Sequence, residues 1–418
     1  MDKRVCAFCG NDETRVKKLI KGKDDTYICD ECVSLCGEIL EEVFEDEKDK
    51  SNPNPEKLTM ANLPKPRKIK EFLDEYVISQ EDAKKTLSVA VYNHYKRILN
   101  NDRKNVKVNI EKSNILIAGP TGCGKTYIIQ TIAKMLNVPL AISDASSLTC
   151  SGYVGNDVCS VVRDLYVAAG EDVEKMKHGI IYIDEIDKVS RKGESRSITR
   201  DVGGESVQQE LLKIIEGSPV SFPKDGGRKN PNGPNITVDT TDILFIVGGS
   251  FEGLEKIIAK RRAASSMGFR SSIINGKMAD EDNFNIFEHV TPEDFVKFGM
   301  LPEFMGRVPV ICKLSKLTRD EIRRIITEPK NSLADQYKTY FEMDDIELDI
   351  SDEAYNEIAD NAIKKDVGAR GIRTMLETIL RDAMFELPGS DIDKFQVTKE
   401  LVEEKLLLNG DIDTESMN

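Results

Sequence analysis

The chain has 418 residues, 39% of them hydrophobic and 32% charged, with a net charge of −14 and a sequence pI of about 5.0. That length exceeds what one hydrophobic core holds, so two or three domains are expected. The acidic balance argues against a dedicated nucleic-acid binder, which carries a basic footprint, and no apolar stretch is long enough to span a bilayer. The first residues, Met1 to Cys9, are charged and reach a cysteine at once, unlike a secretory signal. The chain therefore reads as cytoplasmic, with neither nucleic acid nor membrane as a partner.

The first unit is cysteine-rich. Of nine cysteines, Cys6, Cys9, Cys29, Cys32 and Cys36 fall near the start; Cys123, Cys150, Cys159 and Cys312 are scattered. Cys6-x-x-Cys9 followed by Cys29-x-x-Cys32 has the spacing of a four-thiolate Zn2+ site. Four ligands close the tetrahedron, so the metal is expected to be structural. A unit ending near residue 44 is too small to fold on an apolar core alone, and metal binding would supply its folding energy. Cys36 reads as a small packed hydrophobe or an alternative ligand, and His94, His178 and His289 have no metal-like spacing. Residues 45–66 are polar, carry four prolines and read as a linker.

From residue 67 onward, helical patterns alternate with short apolar runs, the mark of βαβ units on a parallel sheet. Ser79 with Asp82 predicts a capping box opening a helix through Ala83, Leu87, Val91 and Ile98. Buried strands are predicted at Ile115–Ile117, Ile180–Ile183 and Ile243–Val247. The first runs into Gly119-Pro120-Thr121-Gly122-Cys123-Gly124-Lys125-Thr126, which fits the phosphate-loop pattern in the required strand–loop–helix context. Its glycines let backbone N–H groups curl around phosphate oxygens, and the new helix adds its positive end. Lys125 supplies charge for the β- and γ-phosphates, and the Thr126 hydroxyl is a Mg2+ ligand. The second strand ends in Asp184-Glu185: Asp184 would hold Mg2+, and Glu185 would orient and deprotonate the attacking water. ATP is the implied nucleotide. Positive charge on the developing γ-phosphate could come from Arg307 or Arg370.

A second domain is predicted over residues 314–408. Thr318 and Glu321 form a further capping-box pattern, and Ile346, Leu348 and Ile350 alternate as a strand. Gly368 opens an amphipathic helix with Ile372, Met375, Leu376, Ile379, Leu380, Met384 and Leu387 on one face, stopped by Pro388-Gly389. Residues 409–418 read as a disordered tail, and no internal repeats are found.

Together these segments resemble the ClpX family of AAA+ unfoldases over nearly the whole chain. Tyr76-Val77-Ile78-Ser79-Gln80 is similar to the family's adenine-pocket segment. Gly152-Tyr153-Val154-Gly155 resembles its first pore loop and Ser197 to Val202, with Arg200, its second. Glu303-Phe304-Met305-Gly306-Arg307 resembles its arginine-finger segment, and Gly368-Ala369-Arg370 its sensor-2 motif. The resemblance implies an α/β AAA+ P-loop module at residues 67–313, a smaller α/β C-terminal subdomain, and an N-terminal treble-clef-like zinc-binding domain. It implies a homohexamer with ATP at subunit interfaces, lined by Val77, Ile78, Pro120 to Tyr127 and Arg370. It also implies that Arg307 reaches a neighbour's nucleotide and Tyr153 and Val154 grip protein substrates. Further implied are an entrance loop carrying Arg228 and Lys229, docking of a ClpP-type peptidase through Met267-Gly268-Phe269, and recognition of substrates or adaptors by the zinc module. Ser79 and Asn230 stand where the family usually has glycine and histidine. Cys123 stands for serine and Met267 for isoleucine. No sensor residue is assigned beyond Val247, where Gly248-Gly249-Ser250 offers neither Asn nor Thr. A nucleic-acid-remodelling ATPase with a zinc finger shares the nucleotide chemistry but not the acidic charge. A zinc adaptor with a relic ATPase is opposed by the intact Lys125, Asp184 and Glu185.

Overall fold

The computed structural model describes residues 5–12, 15–22, 26–33, 59–60, 62–101, 108, 110–149, 156–191, 204–224, 235–265 and 286–408. Tyr153, Val154, Arg200, Arg228, Lys229, Met267, Gly268, Phe269 and Cys36 lie outside them, as do residues 409–418. The chain separates into two compact units, Met1–Thr59 and Met60–Asn418. Among the described residues no helix is long and apolar enough to cross a membrane.

In the first unit, strands β1 (Leu19–Lys21) and β2 (Tyr27–Cys29) form an antiparallel ladder in which Leu19 pairs with Cys29. This ladder carries Cys29 to the cysteines of the preceding turn. Among the described residues of this unit the buried apolar side chains are those of Cys6 and Cys29, as expected of a unit that folds around a metal.

The second unit opens with helix α1 (Pro66–Tyr76), with Pro66 in its first turn, where a missing N–H costs nothing. Helix α2 (Glu81–Asn101) follows. Its start differs from the predicted capping box. Ser79 and Gln80 take φ of 57° and 59°, left-handed values foreign to an N-cap, and the helix begins at Glu81. The Ser79 hydroxyl instead donates to the Glu321 carboxylate, and Gln80 exchanges two hydrogen bonds with the Ser315 backbone, each 2.9 Å. Long-range partners therefore decided a turn that local pattern assigned to a helix.

The sheet is built from β3 (Ile115–Ala118), β4 (Leu140–Asp144), β5 (Ile180–Asp184), β6 (Leu244–Gly249) and β7 (Val310–Lys313), in spatial order β7-β3-β6-β5-β4, all parallel. Every residue of β3 and β6 is buried, because a parallel sheet is covered by helices on both faces and reads as a continuous apolar run. Helix α3 (Lys125–Leu136) follows β3 across the phosphate loop. Helix α4 (Pro302–Arg307) precedes β7. The carboxyl ends of β3, β5 and β6 converge on one edge, where open α/β sheets place their ligands.

The C-terminal part has a separate core. Helix α5 (Arg319–Thr327) starts with the predicted capping box: Glu321 accepts from the Thr318 backbone and hydroxyl at 2.7 and 2.9 Å, and Thr318 accepts from the Glu321 N–H at 3.3 Å. Helix α6 (Leu333–Glu342), β8 (Glu347–Ile350), α7 (Asp352–Lys364), α8 (Gly368–Glu386), β9 (Lys394–Val397) and α9 (Lys399–Leu408) complete it, with β8 and β9 parallel. Helix α8 buries Ile372, Met375, Leu376, Ile379, Leu380 and Ala383, whereas Met384 is 40% exposed. At about 100° per residue the stripe continues through Ala383 to Leu387, so Met384 turns away from the predicted face.

Candidate functional site

The phosphate loop leaves β3 at Gly119 and enters α3 at Lys125. Gly122 and Gly124 take φ of 78° and 97°, where a side chain would be strained. Lys125 is buried and its Nζ donates to the carbonyls of Gly119 at 2.7 Å and Pro120 at 3.0 Å. The ammonium thus waits inside the loop, satisfied by backbone oxygens. Cys123 is also buried, and burial pushes its thiol up to about 11, so it stays protonated near neutrality.

Across the sheet edge, Asp184 closes β5. The Thr126 hydroxyl donates to its Oδ2 at 3.0 Å, and the Glu185 N–H donates to its Oδ1 at 2.9 Å. Glu185 is exposed and left-handed, with φ of 55°. A non-glycine residue held there marks a backbone over-determined by its surroundings, as functional sites often are. At the end of β6, the Ser250 hydroxyl donates to Asp187 Oδ2 at 3.1 Å and its N–H to Oδ1 at 3.2 Å.

These groups share a cleft of about 570 Å³ between the sheet edge and the C-terminal core. It is lined by Val77 and Ile78, by Thr121 to Tyr127, by Asp184 and Glu185, and by Arg370 on the first turn of α8. The sequence motifs of two domains are therefore brought to one place. Pro120 is not on the wall and serves by accepting from Lys125. Arg307 lies elsewhere. Its side chain is 55% exposed and pairs with Glu216 at 2.8 Å. Its carbonyl accepts from Asn114, which precedes β3, so it sits at the sheet edge opposite the phosphate loop.

Other lining residues escaped the sequence reading. Ser250 lines the same cleft beside Glu185, and only its position after a buried strand could have suggested it. Arg373 lies one turn beyond Arg370, also on the wall, and donates to Gln336 at 2.8 Å. The i, i+3 spacing on a helix was the available signal. Ile325 and Leu333 add apolar surface from the C-terminal core.

In the first unit, the sulfurs of Cys6, Cys9, Cys29 and Cys32 lie within 4.8 Å of one another. A tetrahedral zinc–thiolate centre spaces sulfurs about 3.8 Å apart, so the cluster fits the ion. Backbone N–H groups of Cys29 and Cys32 point at the sulfurs of Cys6 (3.2 Å) and Cys29 (3.4 Å), an arrangement suited to thiolates. Burial resists ionisation of Cys6, but N–H groups of Cys9, Phe8 and Cys29 overcome it and bring the thiol down to about 6. Cys32 is pushed up, first by its hydrogen bond with Cys29 and then by burial. Four crowded sulfurs cannot all carry charge unaided, and a divalent cation removes that conflict.

A parallel sheet with a phosphate loop and an acidic strand end, sharing its cleft with an arginine from a second small domain, defines an ATPase of the AAA+ class. Three family models match in succession: the ClpX C4-type zinc finger at residues 4–42, the AAA domain (Cdc48 subfamily) at 110–311, and the C-terminal D2-small domain of ClpB protein at 317–394. Curated relatives from two strains of Bacteroides fragilis are 46% identical over 405 residues, 97% of this chain and 96% of theirs. Each is named ATP-dependent Clp protease ATP-binding subunit ClpX. A relative of the same name from Bacteroides thetaiotaomicron is 46% identical over 404 residues, with the same shares covered. The chain belongs to the ClpX family.

Proposed function

We propose that this protein is an ATP-driven unfoldase and translocase that works as a ring hexamer and threads protein substrates into a ClpP-type peptidase in the cytoplasm. The observation that carries this reading is the single cleft in which Lys125, Thr126, Asp184, Glu185 and Arg370 converge from two domains. Backbone N–H groups at the start of α3 and the Lys125 ammonium bind the phosphates. Thr126 and Asp184, already in contact, are the residues that would hold Mg2+, which neutralises phosphate charge when bound. Glu185, one residue on, faces open solvent and accepts the proton of the attacking water. Arg370 bears on the nucleotide of its own subunit. Arg307, remote from its own cleft and exposed, serves the neighbour's.

Closure of the C-terminal core against the phosphate loop is the movement that hydrolysis would release. Tyr153 and Val154, with Arg200, would grip polypeptide in the channel; Arg228 and Lys229 would meet it at the entrance; Met267-Gly268-Phe269 would dock the peptidase. An aromatic ring suits a gripping role because it offers contact area to any side chain. The zinc module, closed to chemistry, would recognise substrates or adaptors.

The test is degradation of a folded, tagged protein by this chain with a ClpP-type peptidase and ATP. Wild type is expected to degrade it, Glu185→Gln to bind ATP without turnover or degradation, and Tyr153→Ala to hydrolyse ATP without degradation. Full degradation by Glu185→Gln overturns the reading.

A further inference from the structure

One polar stretch of the cleft wall has no part in the phosphate chemistry. Helix α8 starts against the phosphate loop, and Arg370 sits on its first turn. Arg373 follows on the same face, about 4.5 Å farther along the axis. The other end of the cleft is apolar, with Val77, Ile78, Ile325 and Leu333. On α6, Gln336 stands one turn after Leu333 and also lines the cleft. The hydrogen-bonded pair of Arg373 and Gln336 therefore joins the phosphate wall to the apolar wall, where the sugar of a nucleotide lies between its phosphates and its base.

The pair is held from behind. Gln336 Nε2 donates to the Asn331 carbonyl at 2.8 Å, and its Oε1 accepts from Arg373 at 2.8 Å, which settles the way the amide faces. The loop that carries Asn331 is itself anchored, since the Lys330 N–H donates to the Glu75 carbonyl at 2.7 Å, one residue before Tyr76. The bond to Gln336 is the one hydrogen bond of Arg373 among the described residues, and it forms no ion pair among them. Its remaining N–H groups are free to donate, and the Gln336 Oε1 keeps a second lone pair. A phosphate oxygen needs donors alone. A sugar hydroxyl needs both, because its oxygen accepts and its proton is donated. We propose that Arg373 and Gln336 bind the ribose hydroxyls, Arg373 donating to a hydroxyl oxygen and Gln336 Oε1 accepting a hydroxyl proton, so that the cleft prefers ribonucleotides to deoxyribonucleotides. The inference rests on the reading of this cleft as the nucleotide site.

Calorimetric titration of the full chain with ADP, 2′-deoxyADP and 3′-deoxyADP tests it, diphosphates being used so that no turnover intervenes. Wild type is expected to bind ADP about tenfold more tightly than one or both deoxy analogues, the loss of a hydrogen bond to a charged group. Arg373→Met and Gln336→Leu should abolish that preference by weakening ADP, with affinity for the disfavoured analogue little changed. Lys125→Ala, by contrast, should weaken all three diphosphates alike. Equal binding of the three by wild type overturns the proposal and leaves the nucleotide site standing, whereas binding of none overturns both. Arg373→Met and Gln336→Leu proteins that keep the wild-type preference, or that lose all three diphosphates to the same extent, also overturn it, the second result assigning the pair to phosphate or to packing.

Discussion

Gly122 in the phosphate loop and Gly368 at the start of α8 meet backbone to backbone. A Cβ on Gly122 would lie 3.0 Å from Gly368 Cα, and one on Gly368 2.9 Å from Gly122 Cα. The Ala369 N–H donates to the Gly122 carbonyl at 3.0 Å. The small domain is thereby seated on the loop that holds phosphate, and the shift of one is felt by the other. Both glycines have positive φ, 78° and 57°.

Alanine at either glycine is expected to cost about 2 kcal/mol or more, from left-handed strain and a backbone clash that no rotamer relieves. Gly122→Ala and Gly368→Ala should each lower the denaturation midpoint and weaken nucleotide binding. Unchanged binding with lowered stability would show the contact to be structural only.

The bridge from Ser79 to Glu321 makes the joint between the domains acid-sensitive. Burial raises the Glu321 carboxyl, but hydrogen bonds from Ser79 and Thr318 outweigh it and hold it below its ordinary 4.5. A depressed carboxylate contributes its full stabilisation above the unfolded value and loses it as pH falls through the folded one. Denaturant melts at a series of pH values should therefore show Ser79→Ala less stable than wild type near neutrality, with the difference shrinking as pH falls below the ordinary carboxyl value of 4.5.

Removing zinc is expected to unfold the first unit while sparing the ATPase. Structural zinc is worth on the order of 10–16 kcal/mol in units of this size. Chelation should release one zinc per chain and abolish amide protection around Cys6 to Cys32. Basal ATP hydrolysis and the main melting transition should persist. Loss of hydrolysis on chelation would contradict a purely structural metal.

Placement of Arg307 at the edge opposite the phosphate loop predicts action between subunits. Arg307→Ala and Glu185→Gln should each lose turnover, by a factor of about a thousand or more for the arginine. Mixed rings should regain part of it, because an Arg307→Ala subunit beside a Glu185→Gln subunit recovers a complete site. No recovery on mixing, with mixed assembly verified by mass, would place the arginine's action within its own subunit.

Chemistry carried by contiguous residues was legible in the sequence. The phosphate loop works through its own backbone, so Gly119 to Thr126 announces itself wherever a strand precedes it. The same is true of Asp184-Glu185 at the end of an apolar run, and of paired cysteines whose spacing is that of their metal. Those patterns, with the apolar runs of a covered parallel sheet, were enough to define the fold class and the nucleotide chemistry. Tertiary structure decided what depends on a partner far along the chain. Ser79 and Gln80 left helical geometry because Glu321 and Ser315 bind them. Gly248 is small because Tyr182 occupies its space. Ser250 entered the site through Asp187, and Arg307 was turned from its own cleft by the anchor at Asn114. Local backbone chemistry is written in neighbouring residues, whereas the orientation of a side chain is settled by whatever the fold packs against it.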